Sequence, residues 1–320
     1  MKLSFAIAVL LLAPGMAMGQ ASPQTGSQGG QAQGQSTSKP AAPNAAQVQP
    51  SGGGNRVPQA KSQEEFSAYQ SAMAKTDPSE MAAAAEAFAV KFPDSELREI
   101  LYVRAMTLYQ QNDNSERETA MGRKALALDP NDPVPLIHVS SALAETTRDT
   151  DLDRQDRLNE AAKDAQAAIN NIDTGLHIPP NVPPEQVAAV KASIIAMAYE
   201  TLGVIHIGQK DYAAAEQELQ KAVDARKASP DAGVYLRLSV AQDNLGKYPQ
   251  ALESANKALQ LAQQGSVVQS LARQQQARLQ KLIAAGSPGS PAAAPSATPT
   301  PAKPAQTSQP SNATPPATPH

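Results

Sequence analysis

The sequence predicts an all-α chain, a right-handed α-solenoid of antiparallel helix pairs flanked by disordered N- and C-terminal segments. Three observations predict it. A two-helix pattern occurs twice: Tyr199, Leu202, Tyr212, Ala215 and Ala222 recur, all at one offset, as Tyr235, Leu238, Tyr248, Ala251 and Ala258. A period of about 36 residues marks stacked helix pairs that bury their apolar faces against their neighbours. Alanines recur where the paired helices cross, and helices approach closely only where the contact side chains are small. Hydrophobic residues make up 41% of the chain but aromatics only 3%, which suits an Ala/Leu helical core better than a β-sandwich.

In the first copy, Met197 to Ile207 carries Ala198, Leu202 and Ile205 at helical spacing, and Gly208 ends the helix. Asp211 caps the next helix, whose inner face is Tyr212, Ala215, Leu219, Ala222 and Val223. The second copy shows Tyr235, Leu238, Ala241 and Leu245, then Gly246, then Tyr248, Ala251, Leu252, Ala255, Ala258 and Leu259. This pattern resembles the tetratricopeptide repeat. Leu202-Gly203, Ala215, Leu219 and Ala222 fit the repeat signature. His206, Ser239, Gln242 and Ala255 depart from it, at the places of an aromatic, a glycine, an aromatic and a large apolar residue.

From the start, Lys2, the apolar run Leu3 to Ala13 and the small residues Ala17-Met18-Gly19 read as a signal peptide over residues 1–19. The run is too short to span a bilayer. Residues 20–61 form a Gln/Ser/Gly/Pro-rich leader that cannot bury enough apolar surface to offset its ordering entropy. Gly52-Gly53-Gly54 precedes no helix, so it is not a phosphate loop.

The folded domain is expected over residues 62–286. Ser62 and Glu65 read as a capping box for a helix with Phe66, Tyr69 and Met73. Asp77-Pro78 starts a second, Ala-rich helix that Phe92-Pro93 stops. A third, from Ser95, aligns Leu97, Leu101, Ala105 and Leu108. Ser115 and Glu118 are read as the cap of a fourth. Glu118 stands there at an expected alanine position, which predicts a looser crossing. A fifth helix spans Pro135 to Glu145. After an insertion at Thr146 to Asp153, a sixth runs from about Arg154 to Asn171, with Ala161, Ala165 and Ala168 at repeat spacing. Asp173-Thr174-Gly175 and the Pro179-Pro180 and Pro183-Pro184 pairs break the array. A long helix then leads from Pro184 into the repeated stretch. The helix from Ser266 to Ala285 reads as the cap that a solenoid needs at its exposed end. Residues 287–320 are a Pro/Ala-rich, nearly uncharged tail.

The net charge of −3 is too small to argue for nucleic acid or an anionic membrane. No cysteine is present, which excludes disulfides, thiol catalysis, thiolate metal sites and a lipid-attachment cysteine. Asp149, Asp151, Asp153 and Glu160 fall at EF-hand ligand spacing. Arg154 replaces the glycine that such a loop needs, so they are read as a solvated loop with Asp153 capping the next helix. His138, His177, His206 and His320 show no metal-binding spacing. No nucleophile or metalloprotease motif is present. No enzyme activity and no cofactor are expected.

The resemblance implies a protein or peptide partner bound on the concave face along the first helix of each unit. Mapped onto this chain, that face holds Glu200, Val204, Ile207, Leu236, Val240 and Asp243, an apolar strip between two acids that would suit a partner with basic flanks. Phe92-Pro93-Asp94-Ser95 resembles junctions in tetratricopeptide proteins of Gram-negative envelope assembly. The expected function is a non-enzymatic scaffold of the bacterial cell envelope, periplasmic or secreted, with no integral membrane segment once the signal is cleaved. The alternative is a periplasmic protein that binds a small molecule or calcium through the Asp-rich insertion or the proline-rich turn near His177.

Overall fold

The structure, a computed structural model, describes residues 58–179 and 181–286. The expected signal peptide, the leader up to residue 57 and the tail lie outside the described residues. The described residues form helices and connections, with no strand: α1 Gln63–Met73, α2 Pro78–Lys91, α3 Leu97–Gln111, α4 Ser115–Leu126, α5 Pro133–Thr146, α6 Arg154–Asn170, α7 Pro184–Gly208, α8 Tyr212–Ala225, α9 Ala232–Asn244, α10 Tyr248–Leu261 and α11 Val267–Ala284.

Short polar side chains open most of these helices, as their capping chemistry requires. Asp77 Oδ1 accepts from Ser79 and Glu80 amides, both at 2.9 Å. Asp132, Asp211, Asp231 and Ser266 cap α5, α8, α9 and α11 in the same way. At α1, Ser62 Oγ accepts from the Glu65 amide at 3.1 Å, while Glu65 reaches back to the Lys61 amide rather than that of Ser62. Asp153 makes no capping bond to α6, contrary to the sequence reading. At α4 the cap is Asn114, one residue before the expected Ser115, with Oδ1 accepting from the Arg117 amide at 3.1 Å. Asn114→Ala should therefore cost about 1 kcal/mol in urea unfolding, and Ser115→Ala only a few tenths; equal losses would restore Ser115 as the cap.

Consecutive helices pack as antiparallel pairs, most extensively α3 with α4, α5 with α6, α7 with α8 and α9 with α10. The odd helices also pack on one another, from α1–α3 through α9–α11, whereas the even helices do not pack comparably. The odd helices therefore form the inner layer, and α11 adds one further inner helix at the end.

Small residues set the crossings. Ala161, Ala165, Ala215, Ala222, Ala251 and Ala258 are fully buried. A side chain on Gly203 would place its Cβ 2.6 Å from Leu219 Cγ, so α7 and α8 are in direct contact there. The equivalent residue one repeat on is Ser239, and it donates to the Ala251 carbonyl at 2.7 Å. Ser140 makes the same bond from α5 to the Ala161 carbonyl, also at 2.7 Å. The departure from glycine thus exchanges close approach for an interhelical hydrogen bond. Gln242, at the place of an expected aromatic, accepts from Ser254 Oγ. The loose crossing expected at Glu118 is not found. Gly122 lies one turn further on, and a Cβ there would meet Val139 Cγ2 at 2.5 Å. Glu118 itself is buried and meets His138 Nδ1 at 3.0 Å.

The largest core runs from α1 to α7 around Met81, Leu101, Met106, Ile137 and Ile194. Of the described helices, α7 is long and apolar enough to cross a membrane by length and composition. A core helix passes the same test, and α7 packs against α5, α6, α8 and α9.

Candidate protein-binding groove

Three inner helices enclose a groove of about 400 Å³. From α7 it takes Val204 and Ile207, and from α9 Leu236, Arg237 and Val240. From α11 it takes Leu271, Gln274, Gln275 and Arg278. Val204 and Ile207 lie one helical turn apart, as do Leu236 and Val240, so each pair presents one apolar stripe to the same space. Four of the six residues expected to contact a partner therefore line one groove: Val204, Ile207, Leu236 and Val240.

The two acids expected to flank it do something else. Glu200 is 1% exposed, and its Oε1 meets Arg237 Nη1 at 2.5 Å. Arg237 also lies 3.6 Å from Glu145 Oε1 on α5. Burial raises the Glu200 carboxyl from 4.5 to about 7, even though Arg237 and Arg226 pull the other way. Asp243 is buried too, paired with Arg278 and accepting from Gln275 Nε2 at 2.9 Å. Both acids are consumed inside the array by arginines that reach over them. The expectation of free negative charge at the groove ends is corrected: the groove presents an apolar floor, two amides and two arginines already paired.

The sequence reading did not include the third wall. Leu271, Gln274, Gln275 and Arg278 follow i, i+3, i+4, i+7 spacing on α11. That row was legible as one helix face, but its packing against α9 is a tertiary fact. His206 is half-buried on α7, and its Nδ1 is buried without a partner.

The Asp-rich insertion does not form a ligand set. Asp149 pairs with Arg154, Asp151 accepts from the Arg148 amide at 2.8 Å, and Glu160 is bidentate with Arg123. A different group does converge. Glu99 at the start of α3, Asp132 at the cap of α5 and His177 after α6 each offer an atom within 4.8 Å of the others.

Two segments of the chain, residues 196–229 and 232–264, match the family model of the tetratricopeptide repeat. They coincide with the end of α7 plus α8 and with α9 plus α10. This stretch is a tandem of tetratricopeptide repeats, and such repeats generally mediate protein–protein interaction. No curated protein matches the chain in sequence. Solved structures that it is similar to include BtubC (BKLC) from P. vanneervenii, at 18% identity and a TM-score of 0.41, over 76% of this chain and 100% of that one. A chain of the APC/C hetero-tetramer Cut9–Hcn1 matches at 14% identity and a TM-score of 0.33, over 67% of this chain and 42% of that one. A tetratricopeptide repeat protein from Parabacteroides merdae matches at 12% identity and a TM-score of 0.25, over 67% of this chain and 99% of that one.

Proposed function

We propose that this chain is a non-enzymatic scaffold of the bacterial cell envelope, periplasmic or secreted, that binds an extended or helical peptide segment of a protein partner. The observation that carries the reading is the groove on the inner layer, with Val204, Ile207, Leu236, Val240 and Leu271 as its apolar floor. Apolar side chains of a partner bury there, and Gln274 offers its amide at the edge. With Glu200 and Asp243 each paired to an arginine, the preferred partner segment is apolar and uncharged rather than basic. The envelope location rests on the sequence features of residues 1–19.

The test is a pull-down from envelope extract with the wild-type chain and a Val204→Asp, Val240→Asp variant. A specific partner should fall about tenfold or more in the variant, because two buried carboxylates cannot be accommodated on an apolar contact. Circular dichroism should report unchanged helicity. Equal recovery by both proteins would remove the groove as the binding face. For location, residues 1–61 fused to alkaline phosphatase should give active enzyme, and an inactive fusion would sink the envelope assignment.

A further inference from the structure

Outside the groove, the connection between α6 and α7 folds back on the N-terminal ends of α3 and α5. Ile172 and Leu176 are buried in the main core, and His177 follows them at the surface. His177 Nε2 donates to Asp129 Oδ2 at 3.0 Å, so a carboxylate already orients the ring. Beside it stand two carboxyls that the fold has put out of water: Glu99 is 8% exposed and Asp132 5%. Asp132 is partly satisfied as the α5 cap, through Val134 N at 2.8 Å. Glu99 is satisfied only in part: it faces Asp132, but its Oε1 is buried with no hydrogen-bond partner. That orphan oxygen belongs to the carboxylate that converges with Asp132 and His177 within 4.8 Å.

A buried carboxyl pair facing an imidazole is costly unless something positive sits among them. We propose that Glu99, Asp132 and His177 form a binding site for a divalent transition-metal cation of the Zn²⁺ type, which ties the α6–α7 connection to α3 and α5. One imidazole with carboxylate oxygens suits zinc or manganese better than calcium or magnesium, which take oxygen donors. The residues come from three separate parts of the chain, so the cation would fasten the connection between α6 and α7 to the starts of α3 and α5.

The test is isothermal titration of chelator-treated full chain with Zn²⁺ at neutral pH, paired with melting curves in the presence and absence of Zn²⁺. One cation should bind per chain and raise Tm. His177→Ala should weaken binding about tenfold or more and leave the metal-free Tm unchanged, because that side chain is exposed. Glu99→Gln should abolish the Zn²⁺-dependent rise while melting, metal-free, no lower than wild type, since it removes one of two facing carboxyls. His206→Ala should bind as wild type does. Absence of binding, wild-type affinity in either site variant, or loss of binding in His206→Ala would each overturn the assignment.

Discussion

Gly175→Ala lowers the unfolding free energy by about 3 kcal/mol, at the upper end of what overpacking costs. A Cβ at this position would lie 2.1 Å from the Asn131 carbonyl oxygen and 2.9 Å from its carbon, far inside contact distance. Relief would require a backbone to move, and neither can do so cheaply. The Gly175 amide donates to the Asn171 carbonyl at 2.7 Å, and Ile172 and Leu176 anchor the connection in the core on either side. Opposite, Asn131 leads directly into Asp132 and Pro133, which together fix the start of α5. Urea unfolding of Gly175→Ala beside Gly208→Ala measures the effect. Gly208 ends α7, and its added methyl would meet only an Arg154 Nη2 at 3.7 Å, so its loss should be well under that of Gly175. Similar losses for the two would mean that the connection yields, and that it is not held tightly against the start of α5 at this point.

Stability falls as pH rises from about 4.5 to about 7, and Glu200 supplies about 3 kcal/mol of that fall. The sign follows from proton counting. Unfolded, Glu200 titrates near 4.5; folded, it titrates at about 7 because burial outweighs its arginine neighbours. Between those values the folded chain holds the proton that the unfolded chain has lost, so raising pH favours unfolding. Glu99 and Asp132, also raised by burial, add to the slope in the same direction, as does Asp164. Glu200→Gln isolates one component: it keeps an acceptor for Arg237 while removing the titration. Arg237 stays beside Glu145 at 3.6 Å. Denaturant unfolding across this pH range should give a flatter curve for Glu200→Gln, with the gap from wild type opening above pH 5. Parallel curves would mean that the Arg237 pair keeps Glu200 ionised throughout. Because Arg237 lines the groove, the same titration sets whether that arginine is fully neutralised from below.

Much of the fold was written in local chemistry. The Tyr and Ala pattern from Tyr199 to Ala258 located two helix pairs, because a helix that must bury one stripe repeats its small and apolar residues at helical spacing. Ser62, Asp77 and Asp211 marked helix starts because a cap bonds amides two or three residues away. The same reasoning went wrong at Ser115, where Asn114 stood one residue upstream with a better acceptor. At Glu118 the expected looseness failed because Gly122 and His138, on the same helix and the next one, absorbed the change.

The apolar strip Val204, Ile207, Leu236 and Val240 was likewise legible, since each pair is a single turn on one helix face. The charge of that strip was not. Glu200 and Asp243 look like solvated acids in sequence and become buried partners of Arg237 and Arg278, residues 37 and 35 positions away. Nor could the spacing of the histidines bring His177 to Glu99 and Asp132. What the chain determined by itself is where it coils, because capping, turning and stripe formation depend on neighbours within a few residues. Which charges are neutralised, which wall closes the groove and which carboxyl oxygens are buried without a partner were decided only when distant helices packed, because pairing and desolvation act through space.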